Sequence, residues 1–260
     1  MQISKRLRTV ASFVTEGNSI ADIGTDHAYV PIFLAKEGKI TKALAMDIKK
    51  GPLERAKTHI QKQGLSDMIE VRLSDGLSAF QKGEAETIII SGMGGALIQK
   101  ILEEGKEVLC EAKEFILSPQ SEIQDFRHFL QNSGYEIRKE TMLKEDGKYY
   151  TVIKAAFGKM NYTKEIEFAY GKLLLEERNH VLREYLKKEE QVYKKIVEQL
   201  TAVGSKEQEK RRNELLHREE LLQEWNNDHP EYNENIQERT NLLSKIANLK
   251  WGINILKNQN

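Results

Sequence analysis

Short β-rich runs alternate with helical patterns through residues 1–158, and this alternation limits the fold more than any other feature of the sequence. In most of the β-rich runs, polar and apolar residues do not follow a two-residue period, which is typical of parallel strands covered on both faces. The predicted strands are residues 19–23, 42–46, 69–73, 87–90 and 114–117, and the predicted helices are residues 29–36, 52–63, 96–104 and 123–132. The last helix follows Ser121-Glu122, a capped start. The pattern predicts a doubly wound α/β sheet with right-handed crossovers.

Two further β-rich runs, residues 135–143 and 149–157, flank the dipeptide Asp146-Gly147. Asp-Gly between such runs is a strong signal for a tight hairpin turn. We therefore expect the mostly parallel sheet to be closed by an antiparallel hairpin at one edge.

Strand patterns end at Gly158, and from there apolar residues recur at steps of three and four. They do so from Ile166 to Leu200, from Leu215 to Trp225 and from Ile236 to Leu256. This spacing predicts an α-helical hairpin with coiled-coil character, followed by a final helix. The sequence thus predicts two domains, residues 1–158 and residues 159–260.

Composition excludes several classes of protein. Cys110 is the single cysteine, so an internal disulfide and a cysteine-based zinc cluster are both excluded. No apolar run reaches the roughly 20 residues that span a bilayer, and the first residues do not resemble a secretory signal. Lys+Arg and Asp+Glu both number 40, so net charge favours neither a nucleic acid nor an acidic partner. We expect a soluble cytoplasmic protein whose binding depends on local charge.

The segment from Ile20 to His27 places a short apolar strand directly before a glycine-containing turn. Gly24 has no Cβ, so a ligand can approach the backbone at the carboxyl end of this strand. A dinucleotide fingerprint would need two more glycines here, whereas the sequence supplies the acids Asp22 and Asp26. Carboxylates suit a cationic ligand without phosphate, and S-adenosylmethionine (SAM) is such a ligand. A purely structural strand-to-helix turn is the alternative.

Three further strand ends carry polar or glycine-rich segments. Asp47 follows the turn at about the 20-residue spacing at which an acid meets ribose hydroxyls in nucleoside-binding α/β folds. Asp75 follows the third strand and could accept a hydrogen bond from an adenine amine, although a plain Asp-Gly turn is the alternative. The glycine-rich run from Ser91 to Gly95 brings the backbone close to a ligand or to another segment. Acids at three neighbouring strand ends favour a ligand site over chance.

Several catalytic motifs are missing from the sequence. It contains no phosphate-binding loop, no zinc-protease helix and no nucleophile elbow, so phosphoryl transfer, zinc proteolysis and α/β-hydrolase chemistry lose support. His27 beside the turn could act as a base, although a lone histidine there is more often structural. The sequence indicates no metal site.

Several motifs, taken in order along the chain, resemble the TrmK family of bacterial SAM-dependent tRNA (adenine-22)-N1-methyltransferases. They are Ser4-Lys-Arg-Leu, Ala21-Asp-Ile-Gly-Thr-Asp-His-Ala-Tyr-Val-Pro31, Gly51-Pro, Asp75-Gly, Ser91-Gly-Met-Gly-Gly-Ala-Leu-Ile98 and Glu145-Asp-Gly-Lys-Tyr149. The resemblance covers residues 1 to about 225. Where the family usually has Gln-Pro-Asn after the fifth strand, this chain has Ser118-Pro119-Gln120.

The resemblance implies a Rossmann-like class I methyltransferase domain that binds SAM and modifies tRNA. The residues implied at the cofactor are Asp22, Gly24, Thr25, Asp26, Asp47, Ile48, Asp75, Gly76, Ser91, Gly92 and Met93. Asp26 and His27 are the candidate catalytic residues, because they open the helix beside the donor methyl group. The candidate tRNA contacts are Lys5, Arg6, Arg8, Pro119, Gln120, Lys206, Lys210, Arg211 and Arg212, and solvated helix surface is the alternative for the last four.

Other functions stay open at this point. The chain could methylate another RNA, a protein or a small molecule. It could also be a non-enzymatic module that binds SAM or a nucleotide and recruits a partner through its helical hairpin. A nicotinamide-dependent dehydrogenase is disfavoured by the missing glycines.

Overall fold

The computed structural model describes residues 3–199, His217 and Glu220, and it contains a seven-stranded sheet in the order β3-β2-β1-β4-β5-β7-β6. The strands are β1 Ile20–Ile23, β2 Ala43–Asp47, β3 Ile69–Leu73, β4 Thr87–Ser91, β5 Glu114–Ser118, β6 Tyr135–Glu145 and β7 Lys148–Phe157. The helices are α1 Lys5–Phe13, α2 Tyr29–Lys36, α3 Lys50–Lys62, α4 Gly95–Glu104, α5 Ile123–Asn132, α6 Glu165–Tyr170, α7 Lys172–Glu176 and α8 His180–Gln199.

The sheet topology confirms the predicted Rossmann-like fold with an antiparallel edge. Strands β1 to β5 pair in parallel, and β7 joins β5 in antiparallel orientation before β6 completes the hairpin. Asp146 and Gly147 both have positive φ, 48° and 75°. Two central residues with positive φ make the turn type that matches the twist of hairpin strands.

The continuous apolar run of β4 is explained by helices on both faces of the sheet. Ile88 and Ile90 belong to the core under α4 and α5, whereas Ile89 belongs to the core under α1, α2 and α3. All three side chains are fully buried. Burial of each isoleucine contributes about 1.5–3 kcal/mol, so the run stabilises both layers at once.

Two helix starts differ from expectation. Helix α1 was not predicted; it begins after Ser4, whose hydroxyl accepts a hydrogen bond from the Leu7 N–H at 3.2 Å. The predicted cap of α5 is wrong, because Glu122 lies at φ 55° and its side chain does not cap that helix. Its carboxylate accepts from the Ala96 N–H at 3.1 Å instead, so Glu122 caps α4.

The helical pattern that starts at Ile166 is interrupted twice within the described residues. Gly171, at φ 88°, separates α6 from α7, and Arg178, at φ 53°, precedes α8. A Cβ on Gly171 would lie 2.2 Å from the buried Glu140 carboxylate. The backbone between α6 and α7 therefore approaches β6 so closely that only glycine fits at this position.

The rest of the predicted helical hairpin, from Leu200 onward, lies outside the described residues apart from His217 and Glu220. The domain boundary at residue 158 stays a prediction. No helix among the described residues is long and apolar enough to cross a membrane.

Candidate active site

The carboxyl ends of β1, β2, β4 and β5 meet along one edge of the sheet, which we call the rim. Ile23 pairs with Met46 on one side and with Ile90 on the other, and Ser91 pairs with Ser118. This register brings the ends of four strands into line, as ligand sites in open α/β sheets require.

Asp22 is a buried carboxyl group in the rim, with 7% of its surface exposed. Its Oδ2 accepts a hydrogen bond of 2.6 Å from the Thr25 hydroxyl. Burial raises the pKa of Asp22 to about 6, against the opposing effect of the Thr25 hydrogen bond. The nearby Asp47 raises this pKa further, whereas Arg6 lowers it. A carboxylate held in this way is stabilised by a cationic ligand.

The turn after β1 is tightly constrained. The N–H groups of Gly24 and Thr25 both donate to the Met46 carbonyl at 2.8 Å. Gly24 has φ 74°, and a Cβ there would lie 2.0 Å from the terminal methyl group of Met93. Glycine is therefore required both by the backbone angle and by the approach of the β4 loop.

The acid at the end of β2 faces the rim from the other side of the turn. Asp47 is half-buried, and its Oδ1 accepts a 2.7 Å hydrogen bond from the Lys49 N–H. The next residue, Ile48, leaves 57% of its surface exposed, an apolar patch beside the acid. Asp75 is exposed after β3, and Gly76 follows it at φ 54°.

His27 and Ala28 lie between β1 and α2 with φ 60° and 55°, a strained conformation for two successive residues other than glycine. The His27 Nε2 is 3.2 Å from the Arg55 Nε, which donates to it, and 3.2 Å from the Asp26 Oδ1. One nitrogen cannot accept from Arg55 and donate to Asp26 together, so the Arg55 bond places the proton on Nδ1. That Nδ1 is buried with no hydrogen-bond partner among the described residues.

Aromatic rings extend this corner of the rim. The His27 ring stacks on Tyr29 at 5.2 Å and on His59 at 5.3 Å between centroids. Asp26 lies beside them with 75% of its side chain exposed. Flat rings and an exposed carboxylate could hold and polarise a planar base. Sequence reasoning missed Arg55 and His59, because no spacing rule relates α3 to the turn, and it assigned no role to Tyr29 at the start of α2.

The loops after β4 and β5 are joined by backbone hydrogen bonds. The Gly92 N–H donates to the Ser118 carbonyl at 3.2 Å, and the Gln120 N–H donates to the Met93 carbonyl at 2.9 Å. Pro119 is buried, whereas Gln120 is exposed and available to a substrate. The structure therefore brings the two predicted loops together at the rim.

The predicted basic residues fall into different places. Lys5 and Arg8 are exposed on α1, and Arg6 is half-buried with its guanidinium at the rim. Lys206, Lys210, Arg211 and Arg212 lie outside the described residues. Within the described part of the chain, no group of three or more His, Cys, Asp or Glu side chains could hold a metal ion.

Comparisons with known proteins agree with this geometry. A family model described as a methyltransferase domain matches residues 3–153. The tRNA (adenine(22)-N(1))-methyltransferase of Bacillus subtilis strain 168 is 40% identical over 230 residues, which cover 86% of this chain and 97% of that protein. The crystal structure of the B. subtilis m1A22 tRNA methyltransferase TrmK matches with a TM-score of 0.74 at 37% identity, covering 86% of this chain and 98% of that one.

A third comparison includes a ligand. The protein Sp1610 of Streptococcus pneumoniae, in complex with S-adenosyl-L-methionine, matches with a TM-score of 0.73 at 33% identity, covering 93% of this chain and 100% of that one. Fold, rim and family model together define a methyltransferase. The chain belongs to the TrmK family of tRNA (adenine(22)-N(1))-methyltransferases.

Proposed function

We propose that this enzyme transfers the methyl group of SAM to N1 of adenine 22 in tRNA. The observation that carries the proposal is the buried, poorly compensated carboxyl group of Asp22 at a glycine turn, in line with Asp47 at the next strand end. The B. subtilis relative, which carries this activity in its name, is matched over nearly its whole length.

The chain's own residues fit the charges of SAM. Asp22 offers a carboxylate to the ammonium group, the Gly24 turn leaves room for the methionine part, and the second oxygen of Asp47 is suited to ribose hydroxyls. Thr25, Ile48, Gly76, Ser91, Gly92 and Met93 complete the proposed cofactor site, and the exposed Asp75 is assigned to the adenine amine. When bound, SAM supplies an electrophilic methyl group with positive charge on sulfur.

Catalysis in this proposal rests on positioning and charge. N1 of neutral adenine already has a lone pair, so no base has to remove a proton before attack. Positive charge develops on the purine as the methyl group moves, and the exposed Asp26 carboxylate is placed to stabilise it. The His27 ring, stacked on Tyr29 and His59, can hold the plane of the base. Asp26 accelerates the reaction only if it favours the transition state over the already cationic donor.

The target adenine has to leave its stack for N1 to reach the rim. We propose that the exposed Lys5 and Arg8 contact tRNA phosphates, and that Pro119 and Gln120 contact the base. Residues 159–260 are proposed as a second, helical domain with coiled-coil character that carries further contacts, Lys206, Lys210, Arg211 and Arg212 among them. Because tRNA is the proposed substrate, a cytoplasmic location belongs to the same proposal.

The proposal is tested with radiolabelled SAM and unmodified tRNA. We expect one methyl group per tRNA, located at N1 of adenine 22, and none on a tRNA with guanine at that position. Asp26→Asn should lower turnover by at least tenfold with little change in SAM affinity, whereas Asp67→Asn, an exposed acid outside the rim, should match the wild type. Unchanged turnover in Asp26→Asn would remove Asp26 from the mechanism. SAM binding without transfer to any tRNA would favour another substrate or a non-enzymatic module.

A further inference from the structure

One conspicuous motif, Glu145-Asp-Gly-Lys-Tyr149, has no role in the site as described so far. It forms the tip of the β6–β7 hairpin, and the Glu145 carboxylate accepts hydrogen bonds from the N–H groups of Lys5 and Arg6. The bond from Arg6 is 3.2 Å long. An anion at the first turn of a helix stabilises it, so the hairpin tip fixes where α1 begins.

Fixing α1 in this way places the Arg6 guanidinium at the rim. Its Nη1 donates to the Ser91 Oγ at 3.4 Å, and its guanidinium carbon lies 5.6 Å from the centre of the Tyr150 ring. A Cβ on Gly92 would make an ordinary van der Waals contact of 3.5 Å with the same Nη1, so the guanidinium lies directly beside the glycine-rich loop after β4. Arg6 is close enough to Asp22 to lower the pKa of that carboxyl group.

The charges of SAM identify what such a guanidinium could bind. The methionine end carries an ammonium and a sulfonium, which the acids of the rim can balance, and one carboxylate, which needs a cation. With the ribose at Asp47 on β2, the methionine part crosses β1 toward β4. That distance is two strand spacings, about 10 Å. Arg6 lies at the far end of this path, beside Ser91.

We propose that Arg6 binds the carboxylate of the methionine part of SAM, and that Glu145 is a positioning residue that holds Arg6 there. The inference rests on the proposed function, because it assumes that SAM binds at the rim. It changes the role of Arg6 from a phosphate contact to a cofactor contact, and it gives the hairpin motif a function. Arginine suits this task because its planar fork matches a carboxylate.

The test compares SAM with decarboxylated SAM, which keeps the sulfonium and the amine but lacks the carboxylate. Dissociation constants are measured by calorimetry for the wild type and for Arg6→Ala. We expect the wild type to bind SAM about 10- to 100-fold more tightly than the decarboxylated ligand. Arg6→Ala should bind the two ligands within about threefold of each other. Arg138→Ala, which removes an exposed arginine of β6, should retain the wild-type preference.

Glu145→Gln should reduce the preference for SAM over the decarboxylated ligand only partly, because Arg6 is then less well held. Asp146→Asn, at the exposed turn, should keep the wild-type preference. Thermal unfolding of each variant separates a loss of fold from a loss of binding. The proposal is overturned if Arg6→Ala weakens both ligands equally, or if it keeps the preference and loses only tRNA affinity. Failure of the proposed function looks different: the wild type would then bind neither ligand, or it would bind SAM with its normal preference and transfer no methyl group to tRNA.

Discussion

Two buried carboxyl groups, Asp22 in the rim and Glu140 in β6, differ in the groups that surround them, and we propose that the first serves binding and the second the architecture of the fold. Burial raises the pKa of both. Glu140 Oε1 accepts from the Arg127 Nη2 at 2.6 Å and from its Nε at 2.9 Å. Asp22 accepts only from the neutral Thr25 hydroxyl among the hydrogen bonds described here.

The difference lies in the cation: Glu140 Oε1 is paired with the buried Arg127 guanidinium, although Glu140 Oε2 has no hydrogen-bond partner among the described residues, whereas no described cation donates a hydrogen bond to Asp22. Arg127 is itself fully buried, and it also donates to the carbonyls of Phe168 and Ala169 at 2.7 and 3.1 Å. This network attaches α6 to α5 and β6 without any external partner. Asp22 has no such cation bonded to it, so its burial in the charged form lowers stability, and in the proposed function SAM supplies the missing positive charge.

The largest effect on stability is expected from breaking the ion pair between Arg127 and Glu140. Arg127→Met leaves Glu140 buried without its cation and should lower the free energy of unfolding by about 3–5 kcal/mol. Urea denaturation measures this directly. The double variant Arg127→Met/Glu140→Leu should regain much of the loss, because no buried charge is left unpaired. A loss below about 1 kcal/mol in the single variant would contradict the structural role of the pair.

Asp22 should behave in the opposite way. In the folded protein burial raises the pKa of its carboxyl group to about 6, against an ordinary value of 3.8 for aspartate. The folded state therefore binds more protons than the unfolded state between these values, and stability falls as pH rises through them. Asp22→Asn should raise the free energy of unfolding at pH 8 by about 1–3 kcal/mol, while SAM affinity falls.

The same shift predicts how binding depends on pH. SAM affinity of the wild type should decrease as the pH falls below about 6, because Asp22 loses the charge that attracts the ammonium group. Calorimetry between pH 5 and 8 checks this, and Asp22→Asn should lack that step. A wild-type affinity that is flat across this range would show that Asp22 does not face the cofactor.

The glycine turn offers a matched pair of substitutions. Gly24→Ala and Gly64→Ala introduce Cβ at similar φ values, 74° and 68°, but only the first meets Met93. Both should lose about 1–2 kcal/mol through backbone strain, and Gly24→Ala should lose more than its control. SAM binding should fail in Gly24→Ala alone. Equal losses in the two variants would show that the contact with Met93 does not explain why glycine is needed at position 24.

The smallest effects are expected on the surface of α1. Lys5→Ala and Arg8→Ala should each reduce the salt dependence of tRNA binding by about one unit of log–log slope, with weaker binding to every tRNA sequence. Lys100→Ala, an exposed lysine of α4, is the control. If neither slope changes, the phosphates contact another surface.

Local sequence signals predicted the sheet and most of the rim, because these depend on neighbours in the chain. Short stretches of sequence were enough to predict three features: the buried strand at Ile88–Ile90, the hairpin turn at Asp146-Gly147 and the acids after successive strands. Helix α1 was missed although the Ser4 cap is a local signal; only its contact with Glu145, far along the chain, has no local signal. Arg6 at Ser91 and the Arg127–Glu140 pair are likewise tertiary contacts, for which no spacing rule exists.

The most direct test of the account is a crystal structure with S-adenosylhomocysteine, the product of methyl transfer. The account predicts the ligand along the rim, with its ribose at Asp47, its ammonium group at Asp22 and its carboxylate within hydrogen-bond distance of Arg6. The contradicting result would be a ligand bound elsewhere, such as in the cleft of about 360 Å³ that Gln120 and Tyr149 line beside α8, with the rim empty.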